Sequence, residues 1–354
     1  MSSGEAEERL RAGKLPPALL SRLLSGLDPV EDPSVVLGPR PGEDAAVINP
    51  GGGYLVAKMD PITFATDRMG WYVLQVNAND IAATGGTPRW FMATLFLPEG
   101  SPVSMVEEIF GQLQRAAIEL GVTLIGGHTE VTVGITRPMI SGAMLGEVAP
   151  GREISTAGGQ PGDAIILTSG IAVEGTAILA SEFRDELIAA GVSEEVLEIA
   201  RQFLFEPGIS VVQDARVAIE SGEYGAVHAM HDPTEGGVAT GLRELAEASG
   251  TGILVDASAV HVYLESARIC DALGVDPWGL IASGSLVIVA DADAAGGMVA
   301  GLRAQGRRAE IIGALTGLEE GMLVRESGGT RELPRFDRDE IARLFSARDG
   351  ADRI

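Results

Sequence analysis

Gly42-Glu43-Asp44-Ala45-Ala46-Val47-Ile48-Asn49-Pro50-Gly51-Gly52-Gly53-Tyr54-Leu55-Val56-Ala57-Lys58-Met59-Asp60 is the stretch from which the architecture can be read. Two short β-rich runs, Asp44–Asn49 and Tyr54–Asp60, flank a Pro-Gly-Gly-Gly turn, which reads as an antiparallel hairpin. With Asn49 and Tyr54 bracketing the turn, Asp44 falls opposite Met59 and Glu43 opposite Asp60. Three carboxylates then meet at one end of one hairpin. Like charges that close destabilise a strand pair unless something cationic sits among them. A hard cation with oxygen ligands, Mg²⁺ first among them, would resolve the conflict. A solvated sheet end with three exposed acids fits the same spacing.

Outward from the hairpin, the period changes. Leu74, Ala78, Ile81 and Ala82 make one apolar stripe of a helix over Gly70–Thr84, which Gly85-Gly86 and Pro88 end. Asn77, Asp80 and Thr84 share a face of it by i, i+3, i+7 spacing, either as a binding face or as the polar side of a surface helix. A strand over Trp90–Leu97 follows. Ser101 as N-cap and Pro102 as first helical residue start a helix that runs to about Leu120. Val122–Ile125 reads as a buried strand leading into a Gly126-Gly127 loop, and Pro138–Val148 as another strand. Before the hairpin a helix is expected over Pro16–Leu27. The Gly-, Pro- and Ala-rich run 149–162 marks a boundary between domains at 1–150 and 151–335, with a tail at 336–354. The second half reads as strands at 163–168, 252–256, 285–290 and 308–315. Its helices fall at 174–190, 194–204, 209–221, 237–249, 264–272 and 293–305, with a last one over Phe336–Ser346. Strands and helices mix without strict βαβ alternation, so the class is α+β with two domains.

Composition excludes several functions. The chain has 354 residues and 45% apolar content, enough for two cores. A net charge of −24 argues against nucleic acid and against anionic membrane surfaces. No run approaches the roughly 18 apolar residues of a membrane span, and the first residues lack a secretory pattern; a soluble, cytoplasmic protein is expected. The single cysteine, Cys270, excludes an internal disulfide and a CxxC zinc site. It lies mid-helix and reads as structural. The four histidines, 128, 228, 231 and 261, have no tight ligand spacing. There is no Walker-type GxxxxGK loop, no GxGxxG after a strand, no HExxH and no GxSxG. Of 26 basic residues only Lys14 and Lys58 are lysines, a bias read as genomic.

What remains are carboxylates beside glycines. In Gly126-Gly127-His128-Thr129-Glu130 the glycines would allow close backbone approach to a ligand, or simply make a turn. In His231-Asp232-Pro233-Thr234-Glu235-Gly236-Gly237 a helix N-terminus is set up, suited to phosphate or carboxylate; capping by Thr234 or Asp232 explains it equally.

The segments 42–47, 76–86, 126–130, 162–180, 231–237 and 282–289 occur in the order seen in a known superfamily. The chain resembles the ATP-dependent family of aminoimidazole ribonucleotide (AIR) synthetase, thiamine-monophosphate kinase, selenophosphate synthetase and the hydrogenase-maturation factor HypE, and within it the HypE-like branch. The resemblance spans about residues 35–315. It implies an N-terminal domain that pairs with its copy in a homodimer and a C-terminal α/β domain beside it. It implies ATP in a cleft, with Mg²⁺ on the triphosphate held by Asp44, Asp60 and Asp80. Asn77 would line that site, and Gly126, Gly127, His128, Thr129 and Glu130 would contribute next to it. Asp232, Thr234, Gly236 and Gly237 would form the substrate-side loop. Asp80, Asn77 and Asp232 are the catalytic candidates. The implied reaction is phosphorylation of an amide- or thiocarboxamide-type oxygen, with ADP formed, on a small molecule or partner protein.

The sequence also departs from the pattern. HypE carries its thiocarbamate on a C-terminal cysteine, whereas this sequence ends Asp352-Arg353-Ile354, so a separate substrate is expected. Glu235 stands where HypE has Arg, His128 where Asp is usual, and Lys58-Met59 where Thr-Thr or Ser-Thr precedes the acid. Alternatives are a small-molecule kinase of the thiamine-monophosphate type and a nucleotide-binding paralogue without turnover.

Overall fold

The computed structural model describes residues 33–37, 43–62, 67–222 and 225–351, with Ala18 and Ser21 as isolated helical positions. The helix expected over Pro16–Leu27 otherwise lies outside the described residues. The order in the first half is β1 (Val35–Leu37), β2 (Ala46–Ile48), β3 (Tyr54–Ile62), α1 (Met69–Ala83), β4 (Thr87–Pro98), α2 (Val103–Leu120), β5 (Thr123–Thr132) and β6 (Met139–Val148). These strands form one six-stranded sheet ordered β1-β2-β3-β6-β4-β5. The expected hairpin is present with the expected offset: Ala46 pairs with Ala57, Val47 with Val56 and Ile48 with Leu55.

The second half continues with β7 (Ala164–Thr168), α3 (Val173–Glu182), α4 (Arg184–Ala189), α5 (Glu194–Gln202), α6 (Val212–Ser221), β8 (Val227–His231), α7 (Gly237–Ser249) and β9 (Gly252–Asp256). Then come α8 (Leu264–Leu273), β10 (Val287–Ala290), α9 (Ala292–Ala304), β11 (Ala309–Thr316), β12 (Met322–Glu326), β13 (Gly329–Glu332) and α10 (Glu340–Ala351). Its seven strands are ordered β13-β12-β9-β11-β7-β10-β8. Apolar residues of α7 (Val238, Leu242, Leu245) pack with one side of this sheet. Those of α6 and α9 (Ala215, Val217, Met298, Leu302) pack with the other. The expected α+β class holds.

Helix α1 is the centre of the molecule. Every residue of it but Trp71 is buried, Gln75, Asn77, Asn79 and Asp80 included, so its polar face is not the side of a surface helix. A buried Leu or Ile here is worth ~1.5–3 kcal/mol. Its approach to β6 needs glycine: a Cβ on Gly142 would meet Phe91 at 2.5 Å and Val73 at 2.8 Å, and one on Gly146 would meet Ile81 at 2.4 Å. The far end of α1 belongs to the other half, where Ala82 and Ala83 join the core of α6 and α9.

Several local expectations are corrected. Ser101 does not cap α2; its hydroxyl donates to the Pro98 carbonyl at 2.9 Å, and the N-cap is Pro102. The strand expected as buried at Val122–Ile125 is an exposed edge strand running on to Thr132, with Gly126-Gly127 inside it. Met92 pairs with Gly126 immediately after Phe91 pairs with Leu124; Ile125 is thus bulged out. The last helix starts at Glu340, because Phe336 is packed over Gly279 and the Asp339 carboxylate accepts from the Ile341 N–H.

Candidate active site

Four elements bring carboxylates to the seam between the sheets. Lys58 and Asp60 alternate with the exposed Met59 on β3, so both point toward α1. Asp80 meets them from α1. Asp44 precedes β2, and Asp232 follows β8.

The geometry is held by amides and ion pairs. The Asn77 side-chain carbonyl accepts from the Asp60 N–H at 2.9 Å, and its amide donates back to the Asp60 carbonyl at 3.3 Å. That two-point clamp fixes the strand against the helix. Lys58 Nζ lies 3.0 Å from Asp80 Oδ1 and 3.3 Å from Asp60 Oδ2. His231 Nδ1 lies 2.6 Å from Asp44 Oδ1, and Nε2 lies 3.0 Å from Glu244 Oε2. A carboxylate on each side of the ring asks for a proton on each nitrogen, so His231 is a cation here.

The remaining oxygens point nowhere within the described residues. Asp44 Oδ2, Asp80 Oδ2 and both oxygens of Asp232 are buried without a hydrogen-bond partner. Burial pushes Asp80 well above the usual carboxylate range, Lys58 draws it back, and Asp232, Asp60 and Asp44 push it up again. Burial, then the Asp44 charge, raises Asp232 to about 8, against the pull of His231. Burial opposes the charges of Lys58 and His231 too, yet the surrounding acids outweigh it and keep both cationic.

Orphaned carboxylate oxygens are what a hard divalent ion binds, and the residues present fit magnesium on that count. Asp44, His231 and Asp232 come close enough to hold an ion, but both His231 nitrogens are already engaged. Asp44 and Asp232 supply free oxygens within that group, and Asp80 Oδ2 is a further unpartnered oxygen of the acid cluster.

Some expected site residues are elsewhere. Glu43 leaves the cluster, because the ladder ends at Ala46 and Ser155 Oγ takes its carboxylate at 2.6 Å. Asp60 is in the cluster but paired with Lys58 and one-third exposed. The 126–130 segment does not lie next to the acids. Asp60, Gly142, Ala93 and Gly127 form one row across the sheet, three strand spacings long, roughly 14 Å at ~4.8 Å each. His128 and Glu130 lie on the face opposite Lys58 and Asp60, 3.4 Å from each other and exposed. Thr129 is on the helix side of the same exposed strand. In 231–237 the loop turns through Gly236 and Gly237, both at positive φ. No side chain caps α7; Asp339 Oδ2 accepts from the Gly236 N–H at 2.7 Å. Thr234 contributes its carbonyl, which accepts from Gly237 and Ala282. Asp232 belongs to the acid cluster rather than to a separate substrate side.

Three contributors were not assigned from sequence: His231, Glu244 and Asn79. Asn79 donates to the Ile209 carbonyl at 2.8 Å and accepts from the Val211 N–H at 2.9 Å, tying α1 to the second half. Only a partner far along the chain reveals its role.

Fold and site together define a class. The chain belongs to the AIR synthase related family: residues 42–148 match its N-terminal domain and residues 160–324 its C-terminal domain. Within that class, similarity runs to hydrogenase-maturation proteins. The chain is 30% identical over 311 residues to a Methanocaldococcus jannaschii protein named for hydrogenase expression and formation, covering 85% of this chain and 88% of that one. It is 29% identical over 326 residues to the carbamoyl dehydratase HypE of Cupriavidus necator, covering 86% of each. A chain of the HypE–HypF complex superposes with a TM-score of 0.72 at 23% identity, over 90% of this chain and 100% of that one. A ThiL structure complexed with AMPPCP and TMP does so at 0.68 and 19%, over 91% and 94%. The chain therefore has the two-domain fold shared by HypE and ThiL.

Proposed function

We propose that the chain is a cytoplasmic, HypE-like enzyme that uses ATP and Mg²⁺, forms ADP, and phosphorylates an amide- or thiocarboxamide-type oxygen on a separate small molecule or partner protein. The observation that carries this is the set of buried carboxylates, Asp44, Asp80 and Asp232, of which Asp44 Oδ2, Asp80 Oδ2 and both Asp232 oxygens have no hydrogen-bond partner. Its relatives include proteins named carbamoyl dehydratase, and its structural neighbours include HypE in complex with ATP.

Asp44, Asp80 and Asp232 would hold magnesium. The ion, when bound, neutralises charge on the transferring phosphoryl group. Asn77 keeps Asp60 and its strand in register with α1, so the acids on β3 and α1 cannot drift apart. Buried walls around Asp80 and Asp232 exclude water, which strengthens every charge interaction there. An amide oxygen leaves poorly and its phosphate ester leaves well, so no protein nucleophile is needed. Cys270 is no carrier of the reacting group: it is buried, and burial pushes its thiol up to about 12. Among the described residues no helix is long and apolar enough to cross a membrane.

The working unit we propose is a homodimer of chains divided at 1–150, 151–335 and 336–354. The outer face of the first sheet supports pairing. Met59, Met92 and Met139 are exposed on it, among partly buried Leu55, Trp90, Phe96 and Leu145, and among the described residues no helix covers them. His128 and Glu130 share that face and would meet the second copy.

The test is calorimetric titration of ATP with and without Mg²⁺ into wild type and Asp80→Asn, followed by assay of phosphate release with carboxamide acceptors. Magnesium-dependent binding, weakened at least tenfold by the substitution, is the expected result. Binding that ignores both magnesium and Asp80 would sink the reading. A second reading, a nucleotide-binding protein without turnover, draws support from Lys58, which already satisfies two of the acids; binding with no phosphate release under any acceptor would favour it.

A further inference from the structure

The Asp60–Asp80 side of the acid cluster carries its own cation. Lys58 comes from the middle of β3, reaches across to α1, and places its ammonium 3.0 Å from Asp80 Oδ1 and 3.3 Å from Asp60 Oδ2. The Lys58 side chain is four-fifths buried and that of Asp80 almost wholly so. On the other side of the cluster the cation is His231, which takes one Asp44 oxygen and leaves Asp44 Oδ2 and both Asp232 oxygens without a hydrogen-bond partner. The chain uses arginine for nearly all its positive charge, with lysine only at 14 and 58. The difference is chemical: a guanidinium is a wide planar fork, whereas an ammonium is a compact point charge with three donors, closer in shape to a small hard ion.

We propose that Lys58 is a positioning cation of this site: it takes the place of a divalent ion between Asp60 and Asp80, so that divalent metal is confined to the free oxygens of Asp44, Asp80 and Asp232. This rests on the reading of the cluster as a metal site. Asp60 is then a lysine partner and not a metal ligand. Asp80 is shared, one oxygen to the ammonium and one to the metal side. Removing the ammonium turns a paired couple of acids into an empty divalent site.

The experiment counts Mn²⁺, without nucleotide, on the full chain. Free Mn²⁺ is read by electron paramagnetic resonance in titrations of wild type, Lys58→Thr, and Lys58→Thr/Asp80→Asn. Lys58→Thr is expected to bind one more ion per protomer than wild type. The double variant, which loses an acid together with the ammonium, is expected to lack that extra ion. Equal stoichiometry and affinity in wild type and Lys58→Thr overturns the role of Lys58 and leaves the metal site standing. No Mn²⁺ on any of the three overturns the metal site, and the role of Lys58 with it. Should Lys58→Thr fold only with Mn²⁺ present, by circular dichroism, the proposal stands, because the ion then does what the ammonium did. A Lys58→Thr chain that stays unfolded in millimolar Mn²⁺ overturns it.

Discussion

His231 Nδ1 stands 2.6 Å from Asp44 Oδ1, a contact between residues 187 positions apart. It joins the end of β8 in the second sheet to the approach to β2 in the first. The pair both builds the acid cluster and fastens the two halves. His231→Ala leaves Asp44 and Glu244 facing each other with no cation between them. Removing one partner of a buried ion pair costs about 3–5 kcal/mol. A lower urea midpoint for the variant, at unchanged slope, is the expected outcome; an unchanged midpoint would show that the tie is incidental.

Asn79 makes the second tie. Its side-chain amide serves the Ile209 carbonyl and the Val211 N–H, both out of reach of water. Asn79→Leu leaves two buried backbone groups unpaired, at about 1–3 kcal/mol each. Hydrogen exchange of the Val211 amide is the sharper readout. It should speed up by at least tenfold in the variant, and continued protection would mean that packing alone holds the segment.

Glu174 sets a pH dependence away from the acid cluster. Burial raises its carboxyl from 4.5 to about 7, Ser283 pulls it back and Glu235 adds to the rise. The folded state therefore holds a proton that the unfolded state has released between those values. Its contribution is fully present below about 4.5 and is lost as pH rises through about 7. Glu174→Gln has no proton to lose. Its stability curve between pH 5 and pH 9 should be flatter than that of wild type, with a gain on the order of 2 kcal/mol at the alkaline end. Parallel curves for the two proteins in thermal melts would contradict the assignment.

Met59 and Met92 test the dimer. Both are exposed on the outer face of the first sheet, where a buried methionine would contribute about 1.5–3 kcal/mol. Met59→Glu with Met92→Glu places two charges in that surface on each copy. Light scattering should report the wild type at twice the protomer mass and the double variant at the protomer mass. A variant that stays at the wild-type mass places the interface elsewhere.

Much of the fold was legible because it is local. The turn at 50–53 fixes the hairpin offset: residues bracketing a turn must pair, and every later pair follows from a period of two. Thus Ala46 faces Ala57 as the turn implies. Helix α7 over Gly237–Ser249 and strand β9 over Gly252–Asp256 were equally plain, since glycines and apolar period mark their ends. The acid-bearing segments were legible too, as carboxylates beside glycines in a family order.

What the sequence by itself determined is which residues share a strand face, a helix face or a turn. Only the tertiary structure decided what covers those faces. The spacing of Asn77, Asp80 and Thr84 says that they lie together, and it took the first sheet, bringing Lys58 and Asp60 of β3 against α1, to cover Asn77 and Asp80. Glycines at 126 and 127 say that the backbone is unrestricted, and only the pairing of β5 with β4 put them in an edge strand three strands from the acids. Lys58 reads as an ordinary strand residue until Asp80 arrives from α1. Charge energies depend on distance and on the exclusion of water, and both are fixed by neighbours remote in sequence.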